Sequence, residues 1–444
     1  MDNQPSELLE KVRQQYETAP FPRYPLEKSP KGDTKFLYIH NIITPYYLKN
    51  QKVIEPQDKV ILDAGCGSGY KALALAEANP GAKIIGIDMS EESVKLAQHR
   101  LQYHGFENAE FHTLTIENLP SLGIEFDYIN NDDVLYFLPD PIAGLQAMKA
   151  VLKPDGIIRT NLHSAWQRTN YYRAQQFFQI LGFMDDNPQE LEIELVRETM
   201  HSLKENTNLK IQTWRPEFEQ SDERILMNLL IQGDKGYTIP QIFSALREAD
   251  LELIGMVNWP DWNLMDLFKE PDNLPAFLAM SLPELSLAEK LHLFELLHPV
   301  HRLIDFWCGH PNSAHPILPV RQWTSADWQT AKVHLHPQLH TARFREDMVA
   351  SIINQMPLEI SRHLPITKDP ILLIDSTVAT SLLPLLDGPQ MLILLVERWK
   401  QLKPIHPITL APNDEATAWS ALIAPLTSLE GMGYIFLDRI LDKG

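Results

Sequence analysis

Cysteine is scarce in this sequence. Its 444 residues include only two cysteines, Cys66 and Cys308, which are too few for a disulfide framework or a cysteine-based zinc site. The histidines beyond residue 290 lie in several segments, with no accompanying carboxylate or cysteine pattern. The sequence therefore predicts no metal site.

Positive charge and long apolar runs are limited as well. Lysine and arginine total 39 against 58 aspartates and glutamates, which gives a formal net charge of -19. A nucleic-acid binder needs a basic face to displace counterions from phosphates, so a nucleic-acid substrate is disfavoured. No apolar run approaches the roughly 20 residues of a membrane span, and the start of the sequence lacks the order of a signal peptide. We therefore expect a cytoplasmic protein without a membrane partner.

What the sequence does contain is an alternation of strands and helices. From about residue 60 to 162, short β-branched runs alternate with amphipathic stretches, a pattern typical of parallel βαβ units. The predicted strands are Val60–Ala64, Lys83–Asp88, Ala109–His112, Phe126–Asn130 and Gly156–Leu162. The pattern resumes with a helix from Thr238, a strand near 251–258, a helix over 276–297 and a strand near 301–307.

We expect three parts along the chain. Residues 1–50 would form an N-terminal helix and an arm rich in proline and aromatic residues, and residues 51–310 the α/β domain, with a mainly helical insertion at about 163–237. A linker rich in proline and histidine then leads to an accessory domain over 320–444. The order of helices and short strands in this last part suggests a small α/β, winged-helix-like fold.

The glycine-rich stretch VILDAGCGSGY, residues 60–70, is the most informative motif. Gly65, Gly67 and Gly69 allow the backbone to approach a ligand closely where a helix begins. Their spacing differs from a P-loop and from the dinucleotide fingerprint G-x-G-x-x-G, because the third glycine comes one residue early. Asp63 adds a negative charge that suits an ammonium group and repels a diphosphate. Asp88, at the end of the next strand, is placed to accept both hydroxyls of a ribose.

These residues resemble motif I and the following strand of class I S-adenosylmethionine-dependent methyltransferases. The resemblance spans about residues 58–162. It implies a Rossmann-like, doubly wound, mostly parallel sheet, with S-adenosylmethionine as the cofactor and S-adenosylhomocysteine as the product. Thr115 stands where this family commonly has an acidic residue that contacts the adenine. The implied cofactor contacts are Asp63, Gly65, Cys66, Gly67, Gly69, Asp88, Met89, Thr115, Ile116 and Asn131.

The N-terminal stretch QYETAPFPRYP, residues 15–25, resembles a segment with the pattern YxxxPxPRx that precedes some bacterial methyltransferase domains. Alternating prolines and aromatic residues make a stiff, extended arm. One interpretation is that the arm closes over a pocket, with Tyr16, Phe21 and Tyr24 lining the active site. The alternative is an arm that merely packs on the fold.

The sequence alone does not identify a catalytic base. His163, just past the fifth predicted strand, is the best candidate because that edge of the sheet faces the substrate in this architecture. Tyr136 and Asn161 would orient the acceptor. The alternative for His163 is a polar residue of a loop. The sequence Asn-Asn-Asp-Asp at 130–133 lacks the N-P-P-Y or D-P-P-Y motif, which argues against the usual glutamine or adenine chemistry.

The resulting hypothesis is methyl transfer by in-line displacement to an oxygen or nitrogen acceptor. A small metabolite is favoured because the arm and the insertion suggest an enclosed, partly apolar pocket. The alternatives are a protein side chain recognised by the C-terminal domain, a non-catalytic S-adenosylmethionine-binding protein, and an NAD-dependent oxidoreductase. A large exposed groove beside the C-terminal domain would favour the protein substrate. The oligomeric state is left open.

Overall fold

The computed structural model describes residues 20–311, 317–366, 371–406 and 408–439, together with four isolated positions before residue 20. Its main sheet has eight strands. These are β1 (Val60–Ala64), β2 (Lys83–Asp88), β3 (Glu110–Thr113), β4 (Phe126–Asn131), β5 (Leu152–Ser164), β6 (Gly236–Tyr237), β7 (Glu252–Met256) and β8 (Leu303–Gly309).

The sheet is mostly parallel. Its order is β3-β2-β1-β4-β5-β8-β7, with β6 beside the end of β5. Neighbouring strands from β3 to β5 run parallel, whereas β8 is antiparallel to both β5 and β7. The winding reverses between β1 and β4, and this reversal opens a crevice beyond their carboxyl ends. The predicted Rossmann-like, doubly wound sheet is confirmed.

Both faces of this sheet are buried. Leu62 and Ile85 pack into one hydrophobic cluster, while their neighbours Ile61 and Ile84 pack into another on the opposite face. Apolar residues at every position are typical of a parallel strand that is covered on both sides. The helices of this domain are α1 (Thr34–His40), α2 (Ile43–Asn50), α3 (Tyr70–Ala78), α4 (Glu91–Tyr103) and α5 (Pro141–Ala150) before the insertion, and α10 (Ile239–Glu248), α11 (Ala276–Ser281) and α12 (Leu287–Leu297) after it.

A helical segment is inserted between β5 and β6. Its helices are α6 (Thr169–Ile180), α7 (Glu190–Ser202), α8 (Asn208–Thr213) and α9 (Asp222–Leu226). They surround a hydrophobic cluster of their own, with Phe178, Val196, Met200 and Leu229 fully buried. The insertion therefore holds its shape through its own core and stands over one end of the sheet.

The C-terminal part contains a three-stranded antiparallel sheet of order β12-β9-β13 and a two-stranded pair, β10-β11. Its elements are α13 (Ser325–Gln329), β9 (Ala331–Leu335), α14 (Ala342–Asn354), β10 (Leu358–Glu359), β11 (Leu373–Ile374), α15 (Ser376–Leu382), β12 (Gln390–Met391), α16 (Leu392–Leu402), α17 (Glu415–Gly431) and β13 (Ile435–Arg439). The predicted α/β character is present, and the likeness to a winged helix stays a prediction.

Short 3₁₀ helices connect many of these elements. They are Ile116–Leu122, Leu135–Phe137, Pro216–Phe218, Trp259–Trp262, Leu264–Leu267, Val320–Gln322, Pro337–Leu339, Ile360–Arg362 and Leu383–Leu386. Within the described ranges, no helix combines the length and apolar character that a membrane crossing requires.

The first two helices join the two larger parts. Tyr38 of α1 is buried in the same hydrophobic cluster as the C-terminal sheet. On α2, the Tyr47 hydroxyl donates to Glu430 Oε1 at 2.8 Å, and its ring packs against Phe436. The Tyr46 hydroxyl, also on α2, donates to the Asp127 carbonyl oxygen of the main sheet at 2.8 Å. We call residues 34–50, which contact both larger parts, the wedge. The division of the chain into three parts stays a prediction.

Candidate active site

The glycine-rich loop leads from β1 into α3 at the carboxyl edge of the sheet. Gly65, Gly67 and Gly69 all have positive φ, at +87°, +49° and +80°. The Gly65 N–H donates to the Ile87 carbonyl oxygen at 2.8 Å, which ties the loop to β2. A side chain has no room at Gly67, because its Cβ would lie 2.2 Å from the Phe21 carbonyl oxygen. The loop geometry therefore requires glycine at this position.

A cavity of about 840 Å³ opens beyond this loop. Its wall consists of the segments that follow β1, β2, β3 and β4, the residue Lys71 at the start of α3, and two residues of the N-terminal arm. The predicted cofactor contacts that line it are Gly65, Cys66, Gly67, Asp88, Met89, Thr115 and Ile116. Apolar side chains complete the wall, namely Ile87, Leu114, Val134, Phe137 and Leu138. Such a mixed wall suits a ligand with one flat apolar part and several polar groups.

Asp88 is fixed at the edge of this cavity. Its Oδ2 accepts a hydrogen bond from the Gly67 N–H at 2.9 Å, and its Oδ1 accepts one from the Ser90 N–H at 2.9 Å. Burial raises the pKa of Asp88, while these two backbone donors act against that shift. Each carboxylate oxygen keeps a second lone pair for a ligand, which is the arrangement that a pair of ribose hydroxyls needs.

The N-terminal arm lies against the same loop. The Ser68 N–H donates to the Phe21 carbonyl oxygen, and the Ser68 hydroxyl donates to the Pro22 carbonyl oxygen, both at 2.8 Å. The buried guanidinium of Arg100 on α4 donates to the carbonyl oxygens of Ser68 at 2.9 Å and of Tyr24 at 2.8 Å. Phe21 and Pro22 consequently form part of the cavity wall.

Comparisons with known proteins agree with this geometry. Residues 56–234 match the family model of a methyltransferase domain. The uncharacterized protein syc1184_c of Synechococcus sp. is 26% identical over 73% of this chain and 76% of its own. The ubiquinone biosynthesis O-methyltransferase of Actinobacillus pleuropneumoniae is 34% identical over 29% of this chain and 56% of its own. This chain contains a class I S-adenosylmethionine-dependent methyltransferase domain. Its cofactor is S-adenosylmethionine.

The match to the ubiquinone methyltransferase spans about half of that relative. A solved structure shares the fold over a longer stretch. PKMT2 from Rickettsia typhi, in complex with AdoHcy, superposes on 94% of this chain and 77% of its own with a TM-score of 0.60 and 15% identity. The overall arrangement of this methyltransferase, including most of its C-terminal part, therefore recurs in another protein.

Asp63 of the methyltransferase does not line the cofactor cavity. It is buried behind the glycine loop, where its Oδ1 accepts a hydrogen bond from Asn130 Nδ2 at 2.9 Å and its Oδ2 has no hydrogen-bond partner. Burial raises the pKa of Asp63 to about 6. An orphaned carboxylate oxygen at this place fits a nearby cation. The interaction with the methionine ammonium, directly or through water, stays a prediction.

Two predicted cofactor contacts have other roles in the structure. Gly69 begins α3, and a Cβ there would lie 2.6 Å from the Ala97 Cα of α4, so this glycine allows two helices to pack closely. The Asn131 side chain is fully buried between strands, since it donates to the Ala64 carbonyl oxygen and accepts from the Thr160 hydroxyl, both at 2.9 Å. Neither residue lines the cofactor cavity.

A second cavity, of about 1460 Å³, adjoins the first. We call it the acceptor cavity. Of the predicted substrate contacts, Phe21, Tyr24 and Tyr136 line it, whereas Tyr16 lies outside the described residues. Its remaining wall comes mainly from the insertion and the segment before β8, through Gln167, Tyr171, Arg215, Glu217, Phe218, Glu223, Arg224, Met227, Asn228 and Arg302.

His163, the predicted base, has contacts at both of its ring nitrogens. Its ring is buried, its Nδ1 lies 2.6 Å from Asp234 Oδ1, and its Nε2 lies 3.0 Å from a guanidinium nitrogen of Arg302. Burial lowers the pKa of His163, so the neutral ring donates to Asp234 and accepts from Arg302. The ring stacks on Tyr136 with centroids 4.0 Å apart. The histidine therefore supports Tyr136 from behind and lines neither cavity, and its catalytic role stays a prediction.

Asn161 also lies behind the site rather than on its wall. Its Oδ1 accepts a hydrogen bond from the Asp133 N–H at 3.0 Å, and its Nδ2 donates to Asp132. This contact holds the turn after β4, in which Asp133 has a φ of +61°. Asn161 thus positions neighbouring carboxylates, and its role in orienting the acceptor stays a prediction.

Several charged residues of the site are not predicted from the sequence, among them Asp133, which lines both cavities. Lys71 and Asp132 line the cofactor cavity, and Arg302 lines the acceptor cavity. Lys71 Nζ lies 3.1 Å from Asp132 Oδ2. Lys71 stands two residues after the last glycine of the loop, and this position is the feature of the sequence that could indicate part of the cluster. Across the described residues, no three His, Cys, Asp or Glu side chains are grouped to hold a metal ion.

Proposed function

We propose that this methyltransferase transfers a methyl group to an oxygen or nitrogen atom of a small molecule that enters the acceptor cavity. The observation that carries the proposal is that the two cavities share the wall residues Phe21, Pro22 and Asp133. A donor in one cavity and an acceptor in the other would meet at these residues.

The cofactor would be held by the groups that line the first cavity. Asp88 would accept the ribose hydroxyls, and the backbone around Thr115 and Ile116 would address the adenine. When bound, S-adenosylmethionine supplies a methyl group activated by a positively charged sulfur. The chain itself contributes alignment in a site shielded by the arm, and alignment alone is worth roughly 7–11 kcal/mol at best.

A small acceptor is supported by the origin of the cavity wall. Every lining residue of the acceptor cavity falls between 21 and 302, so the C-terminal part contributes none of them. The aromatic rings of Phe21, Tyr24, Tyr136 and Tyr171 suit an acceptor with an apolar body. The name of the ubiquinone biosynthesis relative also denotes a small-molecule O-methyltransferase. A protein side chain remains the second candidate, because the cavity is large enough to admit one from outside.

Titration calorimetry and a labelling experiment test this proposal. We expect the intact chain to bind both S-adenosylmethionine and S-adenosylhomocysteine, and the Asp88→Ala variant to bind each at least about tenfold more weakly, since a ribose hydrogen bond to a charged group contributes roughly 1.5–3 kcal/mol. With methyl-labelled cofactor and a cell extract of the source organism, label should enter the small-molecule filtrate. Label that enters only the protein fraction would instead support the protein substrate. Failure of both cofactors to bind would end the proposal.

A further inference from the structure

Asp133 occupies the boundary between the two cavities. In the described part of the chain, it is the one titratable side chain that lines both of them. The other two shared residues, Phe21 and Pro22, have apolar side chains. Since a methyl group that leaves one cavity for the other must cross this boundary, the Asp133 carboxylate lies beside its path.

The Asp133 carboxylate is held between two cations. Its Oδ2 lies 3.2 Å from Lys71 Nζ, and its Oδ1 lies 3.4 Å from a guanidinium nitrogen of Arg302. Of the two cavities, Lys71 lines only the first and Arg302 only the second. The Tyr136 hydroxyl donates to Oδ1 at 3.4 Å. The contacts thus fix the carboxylate at the boundary from both sides.

The charged surroundings of Asp133 keep it ionised. Burial acts to raise its pKa, and Asp132 acts in the same direction, but Lys71 on α3 and Arg302 before β8 outweigh both and lower the pKa below the ordinary value. His163 on β5 faces the same group and is neutral. A carboxylate of this kind remains negative over the whole neutral range and accepts hydrogen bonds without donating any.

We infer that Asp133 receives the O–H or N–H of the methyl acceptor at the point of transfer, and that it selects acceptors carrying such a proton over anionic nucleophiles. The inference rests on the proposed function. A lone pair of the acceptor oxygen or neutral nitrogen forms the bond to the methyl carbon, and the carbon–sulfur bond breaks with its electron pair left on sulfur. For a hydroxyl acceptor, the released proton passes to the Asp133 carboxylate and then to water in the acceptor cavity. For an amine, the carboxylate pairs with the cationic product.

The first test uses binding alone. S-adenosylmethionine carries a positive charge on sulfur that S-adenosylhomocysteine lacks, so a carboxylate beside the methyl group favours the former. We expect Asp133→Asn to weaken S-adenosylmethionine about fivefold or more, with S-adenosylhomocysteine changed by less than about threefold. The matched control is Asp58→Asn, which changes another aspartate of positive φ (+62°) that lines neither cavity.

A second variant covers the case in which Asp133→Asn loses both ligands through misfolding. Arg302→Gln keeps the Asp133 carboxylate and removes one of the two cations beside it. It should therefore increase the preference for S-adenosylmethionine over S-adenosylhomocysteine, whereas Asp133→Asn should decrease that preference. An unchanged preference in both variants would overturn the inference. Failure of the unaltered chain to bind either ligand would instead overturn the proposed function.

The second test uses iodide as an anionic probe that has no proton to lose. With saturating S-adenosylmethionine and iodide, the unaltered chain should form little S-adenosylhomocysteine. Asp133→Asn removes the counter-charge that Arg302 faces at the boundary and leaves Lys71 paired with Asp132 alone. Iodide-dependent formation should therefore rise at least about fivefold, and more at low ionic strength. Equal rates in Asp133→Asn, Asp58→Asn and the unaltered chain would contradict the inference, whether those rates are high or zero.

Discussion

At the scale of single residues, Asp63 is the carboxylate whose charge responds most directly to a bound cation. Burial raises its pKa from 3.8 to about 6, although Asn130 donates to it and Lys71 lies nearby. Because the folded pKa exceeds the ordinary value, the ionised form disfavours folding above pH 6. That penalty disappears as the pH falls through 6 toward 4 and the group takes up its proton. An ammonium group beside the orphaned Oδ2 would reverse this preference and favour ionisation.

We therefore expect the affinity for S-adenosylmethionine to fall as the pH is lowered from 7 to 5, by up to about tenfold. Calorimetric titrations at several pH values check this expectation. The Asp63→Asn variant should bind more weakly at pH 7 and show no pH dependence over the same range. Burial likewise raises the pKa of Asp305 to about 6, but Asp305 pairs with Arg159 and does not line the cofactor cavity. Loss of the pH dependence in Asp63→Asn would therefore also exclude Asp305 as its source. A pH dependence that survives in this variant would assign the effect to another group.

Gly67 tests the glycine loop at the same scale. In Gly67→Ala the new Cβ would meet the Phe21 carbonyl oxygen, so the arm or the loop must move. We expect S-adenosylhomocysteine to bind at least about tenfold more weakly, and the free energy of unfolding to fall by about 2 kcal/mol or more.

Gly105→Ala is the matched control for this substitution. Gly105 also has positive φ, at +85°, but open space lies where its Cβ would be. It should lose only about 1 kcal/mol of stability and bind the ligand normally. Equal ligand affinities in the two variants would show that strain at positive φ, rather than the close approach of the arm, makes glycine necessary.

At the scale of elements, the connection between α4 and the N-terminal arm is the feature with the clearest consequence. Arg100 of α4 is fully buried and donates to backbone carbonyl oxygens of Ser68, Tyr24 and Pro25. Substitution of this arginine would leave those oxygens without a charged donor, which costs a few kcal/mol. Helix, loop and arm are therefore expected to respond together.

We expect Arg100→Met to lower the free energy of unfolding by about 2–4 kcal/mol and to release the arm. Limited trypsin digestion followed by mass spectrometry should show faster cleavage after the exposed Arg23, with S-adenosylhomocysteine restoring part of the protection. Lys95→Met serves as the control, because Lys95 lies on the exposed side of the same helix and pairs only with Glu91 and Glu92. Unchanged cleavage in Arg100→Met would mean that other contacts hold the arm.

The elements of the sheet were predictable where local patterns determine them. The strand before the glycine loop is observed as predicted, over Val60–Ala64, and Asp140 and Pro141 begin α5. The helix expected over 276–297 is instead two helices, because Pro283 lies between them and Ser286 caps the second one. The antiparallel position of β8 between β5 and β7 was not predictable, since pairing of strands far apart in sequence leaves no local signal.

The site was predictable to a different degree. Glycine spacing and Asp88 indicate in the sequence the residues that line the cofactor cavity after β1 and at the end of β2. The cluster of Lys71, Asp133 and Arg302 brings together three separate segments, and only the folded structure shows that they meet. The position of His163 along the chain gives no indication that Asp234 and Arg302 contact its two ring nitrogens.

At the scale of the whole molecule, α2 connects the methyltransferase domain to the C-terminal part. The Tyr47 hydroxyl donates to Glu430 Oε1 and accepts from the Leu437 N–H at 3.2 Å. Burial raises the pKa of Glu430, while Tyr47 acts against that shift. Loss of the hydroxyl would leave a half-buried carboxyl group without this donor.

We expect Tyr47→Phe to lower the free energy of unfolding by about 1–3 kcal/mol and to separate the unfolding of the two parts in scanning calorimetry. Tyr103→Phe is the control, since that side chain is 54% exposed. Cofactor affinity should stay within about twofold of the unaltered chain in both variants, because neither tyrosine lines the cofactor cavity. The effects of distant, uncoupled sites usually add to within about 0.3–0.5 kcal/mol. A single, unshifted transition in Tyr47→Phe would show that the wedge is held chiefly by its apolar contacts.

The arm that carries Phe21 and Pro22 also bears on the order of events in turnover. One short segment forms part of the wall of both cavities, and hydrogen bonds from Ser68 and Arg100 hold it in place. A single opening of that segment would therefore release the spent cofactor and the methylated product together. S-adenosylhomocysteine that remains behind the closed arm also blocks the next acceptor from reaching the methyl donor. We therefore expect inhibition by the product S-adenosylhomocysteine to follow from this architecture.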